Sequence, residues 1–279
     1  MVQFVDADGN RLETNATNAP YAQIVEGMTS EDARTIYRDL VLVRRIDAEG
    51  FALQRQGELG LWPSLFGQEA AQVGAGRALR PHDYAFPGYR EHGVAWCRGV
   101  DPVSLFGMFR GVNHGGWDSN ENNFHLYTIV IGNQMLHAVG YAMGITADGA
   151  MGTGDPERDA AVMAFTGDGG TSQGDFNEAL VFAAVTNAPV VFFVQNNQWA
   201  ISVPFSTQSR VPLAARAAGY GFEGVRVDDF ERGAWLRVVA KRQGDVVALE
   251  LRGPSDVLHY RGEVASSASG VSALVKPAP

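Results

Sequence analysis

From residue 160 onward the chain alternates short apolar runs with stretches of helical spacing. AAVMAF (160–165), APVVFFVQ (188–195), GVRVDD (224–229) and VVALEL (246–251) read as strands. Between them, SQGDFNEALVFAAVTN (172–187), VPLAARAAGYG (211–221) and WLRVVAKR (235–242) carry helical periodicity. Continuously apolar strands separated by helices predict an α/β fold, with a mostly parallel sheet covered by helices on both faces. Such sheets bind ligands beyond the carboxyl ends of their strands. Asp168 and Asn197 fall just past two of those ends.

The first half is patterned differently. Residues 1–28 are polar and without clear period, and read as an N-terminal arm. A helix is predicted from Thr29, because Thr29 and Ser30 suit a helix cap and Glu31 and Asp32 suit its first turn. Ile36, Leu40, Val43 and Phe51 then fall close to one face as far as residues 55–57. GQEAAQVGAGRAL (67–79) predicts a small-residue helix packed closely on a neighbour, and a second one is expected over residues 133–145. Residues 80–92 read as turns and 107–125 as loop. The main domain is assigned to residues 29–262, and the Ser/Ala-rich stretch 263–279 is expected to be disordered.

Composition narrows the function class. With 279 residues and 46% hydrophobic side chains, the chain can bury a sizeable core. A net charge of −9 without a Lys/Arg cluster argues against nucleic acid as a partner. No apolar run is long enough to cross a bilayer, so a membrane partner is not expected. A single cysteine, Cys97, rules out an internal disulfide and fits a reducing, cytoplasmic setting.

The chemistry concentrates in GDGGTSQG…VQNNQWAIS. If the strands before Gly167 and Asn196 are neighbours, Asp168 and Asn197 share one crevice. A carboxylate and an amide carbonyl are hard oxygen donors suited to Mg²⁺, which usually completes its shell with water and phosphate oxygens. Gly169 and Gly170 would let the backbone approach a diphosphate, and the amides opening the next helix favour its charge.

GDG followed by an Asn-Asn pair at this distance resembles the thiamine diphosphate-binding motif. GQEAAQVG, DYAFPGYREHG, IVIGNQ and VQNNQWAIS in this order are similar to the α subunit of the E1 component of 2-oxo acid dehydrogenase complexes. The resemblance runs from about Thr29 to about Val227. It implies a thiamine diphosphate-binding fold with a helical N-terminal arm. The implied activity is oxidative decarboxylation of pyruvate or a branched-chain 2-oxo acid, with acyl transfer to the lipoyl domain of an E2 acyltransferase. Thiamine diphosphate and Mg²⁺ are the implied cofactors, and an E1 β subunit in an α2β2 heterotetramer is the implied partner.

Residue by residue, the resemblance assigns Mg²⁺ to Asp168, Asn197 and the backbone carbonyl of Trp199. It assigns the diphosphate to the amides of Gly169 and Gly170 and, from the other side, to Tyr89 and Arg90. The backbone of Ile131 would meet the aminopyrimidine. His92, in the Arg90 loop, is the candidate catalytic group that would shape the entrance. The base that activates the cofactor is implied to lie on the β subunit, so no glutamate here takes that role.

The chain departs from the family after the last strand. RGPSDVLHYRGEVAS lacks the family's loop histidine in the usual order, and His259 is not given that role. The chain reads as shortened at its C-terminus. The competing reading is therefore a non-catalytic remnant or interaction subunit that keeps the fold.

Overall fold

A computed structural model describes residue 4, residues 10–228, and the strand segments 247–252, 264–267 and 270–273. The long helix α1 (Ser30–Arg55) begins at the expected cap. The Thr29 hydroxyl accepts from Asp32 N at 3.1 Å, and the Asp32 carboxylate accepts from Thr29 N at 2.9 Å. This reciprocal arrangement satisfies donors that a helix start leaves open. The buried residues of α1 are Asp39, Val43, Asp47 and Gly50, one face at spacings of four and three. Phe51, expected on that face, is instead exposed.

Helix α2 (Glu69–Ala78) is the small-residue helix. A Cβ added at Gly76 would sit 2.6 Å from Cys97 Cβ, so the close packing expected from composition is real. Three short elements that periodicity did not resolve follow: β1 (Tyr84–Phe86), α3 (His92–Cys97) and α4 (Pro102–Arg110). The loop after α4 returns beside β1, where Ala85 N donates to Asn123 O and His125 N donates to Ala85 O. Then come α5 (Asn133–Ala147), β2 (Val162–Gly167), α6 (Gly174–Thr186), β3 (Val190–Asn196), α7 (Leu213–Ala217), β4 (Glu223–Asp228) and β5 (Val247–Arg252).

The five strands form one parallel sheet in the order β1-β2-β3-β5-β4. Side chains alternate across it. Val162, Ala164, Val190, Phe192 and Val194 face one core with α5, α6 and α7. Met163, Phe165, Val191 and Phe193 face the other with α2, α3 and α4. Burial on both faces explains why these strands read as unbroken apolar runs rather than as an alternation. Truncating Phe192 or Phe193 to Ala would cost about 3–5 kcal/mol.

The helix expected at 235–242 lies outside the described residues. Within 263–279 the described residues form an antiparallel pair, Val264–Ser267 with Gly270–Ala273. Among the described residues no helix is long and apolar enough to cross a membrane.

Candidate active site

Strands β2 and β3 are neighbours, with Gly167 opposite Gln195. Asp168 and the Asn196–Asn197 pair therefore leave the sheet side by side at its carboxyl edge. Asp168 is 1% exposed. It opens a tight turn, Asp168–Ser172, in which the Thr171 hydroxyl donates to the Asp168 carbonyl at 2.7 Å. Gln208 donates Nε2–H to Asp168 Oδ2 at 3.1 Å and to the Val203 carbonyl at 3.3 Å. Both neighbours are acceptors, which fixes the amide orientation. The other end of that amide, Oε1, is buried with no hydrogen-bond partner among the described residues.

After β3 the chain turns sharply. Asn196 Oδ1 accepts from Gln198 N and Asn197 Oδ1 accepts from Trp199 N, both at 3.0 Å. These local amide-to-backbone bonds are the turn chemistry for which asparagine is favoured. Gln198 (φ 70°) and Ile201 (φ 56°) take left-handed backbone conformations rare for such residues. The result is a small antiparallel ribbon in which Trp199 pairs with Pro204 and Ala200 with Val203.

That ribbon explains Gly169. A Cβ there would lie 2.8 Å from Ala200 Cβ. At Gly170 a Cβ would lie 2.1 Å from Thr166 Oγ1 and 3.4 Å from Ile131 Cγ2. Both glycines were expected to make room for a ligand. In the structure the space each side chain would take is occupied by Ala200 and Thr166, so packing of this turn by itself favours glycine at both positions. Ile131 thereby lies beside the turn, and Gly132 (φ 89°) leads from it into α5.

Tyr89 and Arg90 reach the same edge from β1. The Arg90 guanidinium carbon lies 5.7 Å from the Tyr89 ring centroid, and its Nη1 donates to the Ser64 carbonyl. A buried polar network fixes the loop. Gln195, at the end of β3, donates to Glu91 Oε1 at 2.7 Å. Gln72 of α2 donates to Gln195 Oε1 and to the Arg90 carbonyl, both at 3.0 Å, and accepts from Gly93 N at 2.9 Å. Burial pushes the Glu91 carboxyl above its ordinary range, opposed by backbone hydrogen bonds and the Arg90 charge.

His92 does not line an entrance. It is 1% exposed, and its ring stacks on Trp62 at 4.2 Å. Its Nε2–H donates to the Pro63 carbonyl at 3.1 Å, so Nδ1 accepts from the Tyr127 hydroxyl at 2.8 Å. Desolvation lowers its pKa from 6.5 to about 3. An imidazole held neutral, with both nitrogens engaged inside the core, has no free valence for proton transfer.

The structure thus gathers Tyr89, Arg90, Ile131, Asp168, Gly169, Gly170, Asn197 and Trp199 at one sheet edge, and places His92 beneath it. Periodicity missed Gln72, Glu91, Gln195 and Gln208. A signal existed for Gln72 and Gln195, each a polar residue inside or ending an otherwise apolar stretch. None existed for Glu91 or Gln208.

A buried carboxylate beside amide oxygens is a donor set for a small hard cation. Among the described residues no three His, Cys, Asp or Glu side chains cluster as a metal centre. Such a cation would therefore lean on amide and main-chain oxygens, and on oxygens of the ligand it carries. The donor chemistry fits a cation–diphosphate pair, and the unpaired Gln208 oxygen adds spare polar capacity close by.

The fold of this parallel sheet and its helices is shared with the transketolases. The fold matches transketolase from Campylobacter jejuni with a TM-score of 0.57 at 14% identity, over 79% of this chain and 38% of that one. It matches transketolase from Leishmania mexicana at 0.56 and 17% identity, over 77% and 36%. Within that architecture the chain belongs to the dehydrogenase E1 component family, whose sequence pattern it matches over residues 37–238. It is 45% identical over 241 residues to the 3-methyl-2-oxobutanoate dehydrogenase subunit alpha of Mycobacterium tuberculosis, covering 86% of this chain and 62% of that protein. It is 33% identical over 264 residues to the pyruvate dehydrogenase E1 component subunit alpha of Staphylococcus epidermidis, covering 94% and 66%. The chain thus spans less than two thirds of the length of these relatives.

Proposed function

We propose that this chain is the α-type half of a thiamine diphosphate-dependent E1 component, acting on a 2-oxo acid together with a β-type subunit. The observation that carries the reading is the pairing of buried Asp168 with the Asn196–Asn197 turn across neighbouring strand ends. When bound, the cofactor supplies a nucleophilic carbon and an electron sink for loss of CO₂. This chain's part is binding and orientation. Asp168, Asn197 and the Trp199 carbonyl hold Mg²⁺, and Gln208 keeps the Asp168 carboxylate in its rotamer. Arg90 and Tyr89 take the diphosphate, for which a planar guanidinium is well shaped. The amides of Gly169 and Gly170 would also hold the diphosphate. The backbone of Ile131 positions the aminopyrimidine. His92 acts as a core residue beneath the loop.

The 45% identity to a 3-methyl-2-oxobutanoate dehydrogenase subunit, against 33% to a pyruvate dehydrogenase subunit, favours a branched-chain 2-oxo acid. Exposed apolar side chains on adjoining helices, Tyr141 on α5 with Val181, Phe182 and Val185 on α6, support a protein partner. That partner is an E1 β-type subunit in an α2β2 assembly, and the acyl acceptor is the lipoyl domain of an E2 acyltransferase.

The test is co-expression with a β-type subunit, followed by Mg²⁺-dependent thiamine diphosphate binding and decarboxylation of 3-methyl-2-oxobutanoate and pyruvate. Asp168→Ala is expected to abolish cofactor binding. Affinity surviving that change within about tenfold, or about 1.4 kcal/mol, would refute the metal assignment. Cofactor binding without turnover would favour the remnant reading instead.

A further inference from the structure

We infer that Asp47, on the buried face of α1, is a positioning residue for Arg90, acting through the segment Trp62–Leu65. Asp47 is buried, and among the described residues its three side-chain hydrogen bonds all go to that one segment. Its Oδ1 accepts from Trp62 Nε1 at 2.9 Å and from Leu65 N at 3.0 Å, and its Oδ2 accepts from the Ser64 hydroxyl at 2.7 Å. The helix is shaped for this contact, because a Cβ at Gly50, one turn on, would lie 2.2 Å from the Trp62 ring. The same segment then holds the loop after β1 at three points. The Ser64 carbonyl accepts from Arg90 Nη1, the Pro63 carbonyl accepts from His92 Nε2, and Trp62 stacks on His92. Fixing a four-residue shelf from one carboxylate removes the freedom that would otherwise pass to the guanidinium. Misplacing a binding group by about 1 Å is enough to degrade function.

The coupling of the two segments stands on the contacts alone; its consequence for cofactor binding rests on the proposed function. Two measurements separate them. In the chain by itself, Asp47→Ala leaves Trp62 Nε1, Ser64 Oγ and Leu65 N without their acceptor. Amide hydrogen exchange is then expected to accelerate by about tenfold in peptides covering both 60–66 and 87–97. Asp47→Asn should stay close to wild type, because its Oδ1 keeps two bonds and the Ser64 hydroxyl can accept from Nδ2. Acceleration confined to 60–66, or equal loss in Asp47→Asn, overturns the inference. Should Asp47→Ala fail to fold, Ser64→Ala removes one of the three bonds and must still speed exchange at 87–97. In the complex with the β-type subunit, Asp47→Ala should raise the Kd for Mg²⁺–thiamine diphosphate about tenfold. The same change should add nothing in an Arg90→Ala background. An equal effect in both backgrounds overturns the inference. Arg90→Ala without loss of affinity refutes the proposed diphosphate role and leaves the exchange result standing.

Discussion

Gly170→Ala separates two reasons for a glycine-rich turn at this sheet edge, because packing and ligand approach predict different rescues. The added methyl would begin 2.1 Å from Thr166 Oγ1 and 3.5 Å from Thr166 Cβ. Ordinary carbon–oxygen contact needs a separation more than about 1 Å longer. Thr166 cannot move away freely, since it is buried in β2 and registered against Val194 of β3. Its χ1 is also restricted by branching at Cβ. Overpacking of this kind costs about 1–3 kcal/mol. The third neighbour, Ile131 Cγ2 at 3.4 Å, is in ordinary contact and adds little.

Urea unfolding of four proteins measures this directly: wild type, Gly170→Ala, Thr166→Ala and the double variant. Thr166→Ala removes the clashing oxygen, so the double variant should recover most of what Gly170→Ala loses. The coupling should be about 1–3 kcal/mol. A Gly170→Ala loss below about 0.5 kcal/mol, the level of an ordinary surface change, would refute the packing account. So would strictly additive losses. Thiamine diphosphate binding by the same four proteins then addresses the ligand. If the turn meets the diphosphate only through its amides, the double variant should bind as wild type. Restored stability with lost binding would mean that the methyl also occupies ligand space.

Two further outcomes follow from the buried polar groups. His92 is held neutral, with a pKa of about 3 against 6.5 in an unfolded chain, so its contribution is complete above pH 6.5 and is lost as pH falls toward 3. Between pH 6.5 and 5.5 wild-type stability should fall by about 1 kcal/mol more than that of His92→Asn; equal slopes in urea melts would contradict the assignment. Glu91, whose raised pKa lets the fold gain stability as the carboxyl protonates, is present in both proteins, so its opposing effect cancels in the comparison. Gln195→Leu strips a donor from Glu91 and an acceptor from Gln72, and should cost about 1–3 kcal/mol by thermal unfolding. Because the pair shares one network, Gln72→Leu combined with Gln195→Leu should cost clearly less than the sum; additivity would show the bonds to be independent.

The difference between what sequence pattern revealed and what it hid has a physical origin. The strands ending at Gly167 and Asn196 were legible because burial on both faces leaves an unbroken apolar run. Their end positions fixed Asp168 and Asn197 at the sheet edge. The start of α1 was legible because capping is written in neighbouring residues, Thr29 and Asp32. β1 was not, since three residues flanked by turns carry no period to detect. The supports of the edge were least legible, because each is a long-range hydrogen bond. Gln195 meets Glu91 across 104 positions of sequence, and Gln72 meets Gln195 across 123. Gln72 and Gln195 stand out locally as polar residues in apolar surroundings, but nothing local names the partner each one meets. Asp47 illustrates the point most sharply: on a helix otherwise read for its apolar face, the residue with three bonds to one loop is a carboxylate. Among the described residues no cation pairs with it, so its burial costs free energy that those three bonds offset. A carboxylate placed at such a cost, and bonded among the described residues to the segment under Arg90 alone, is best explained by what that segment holds.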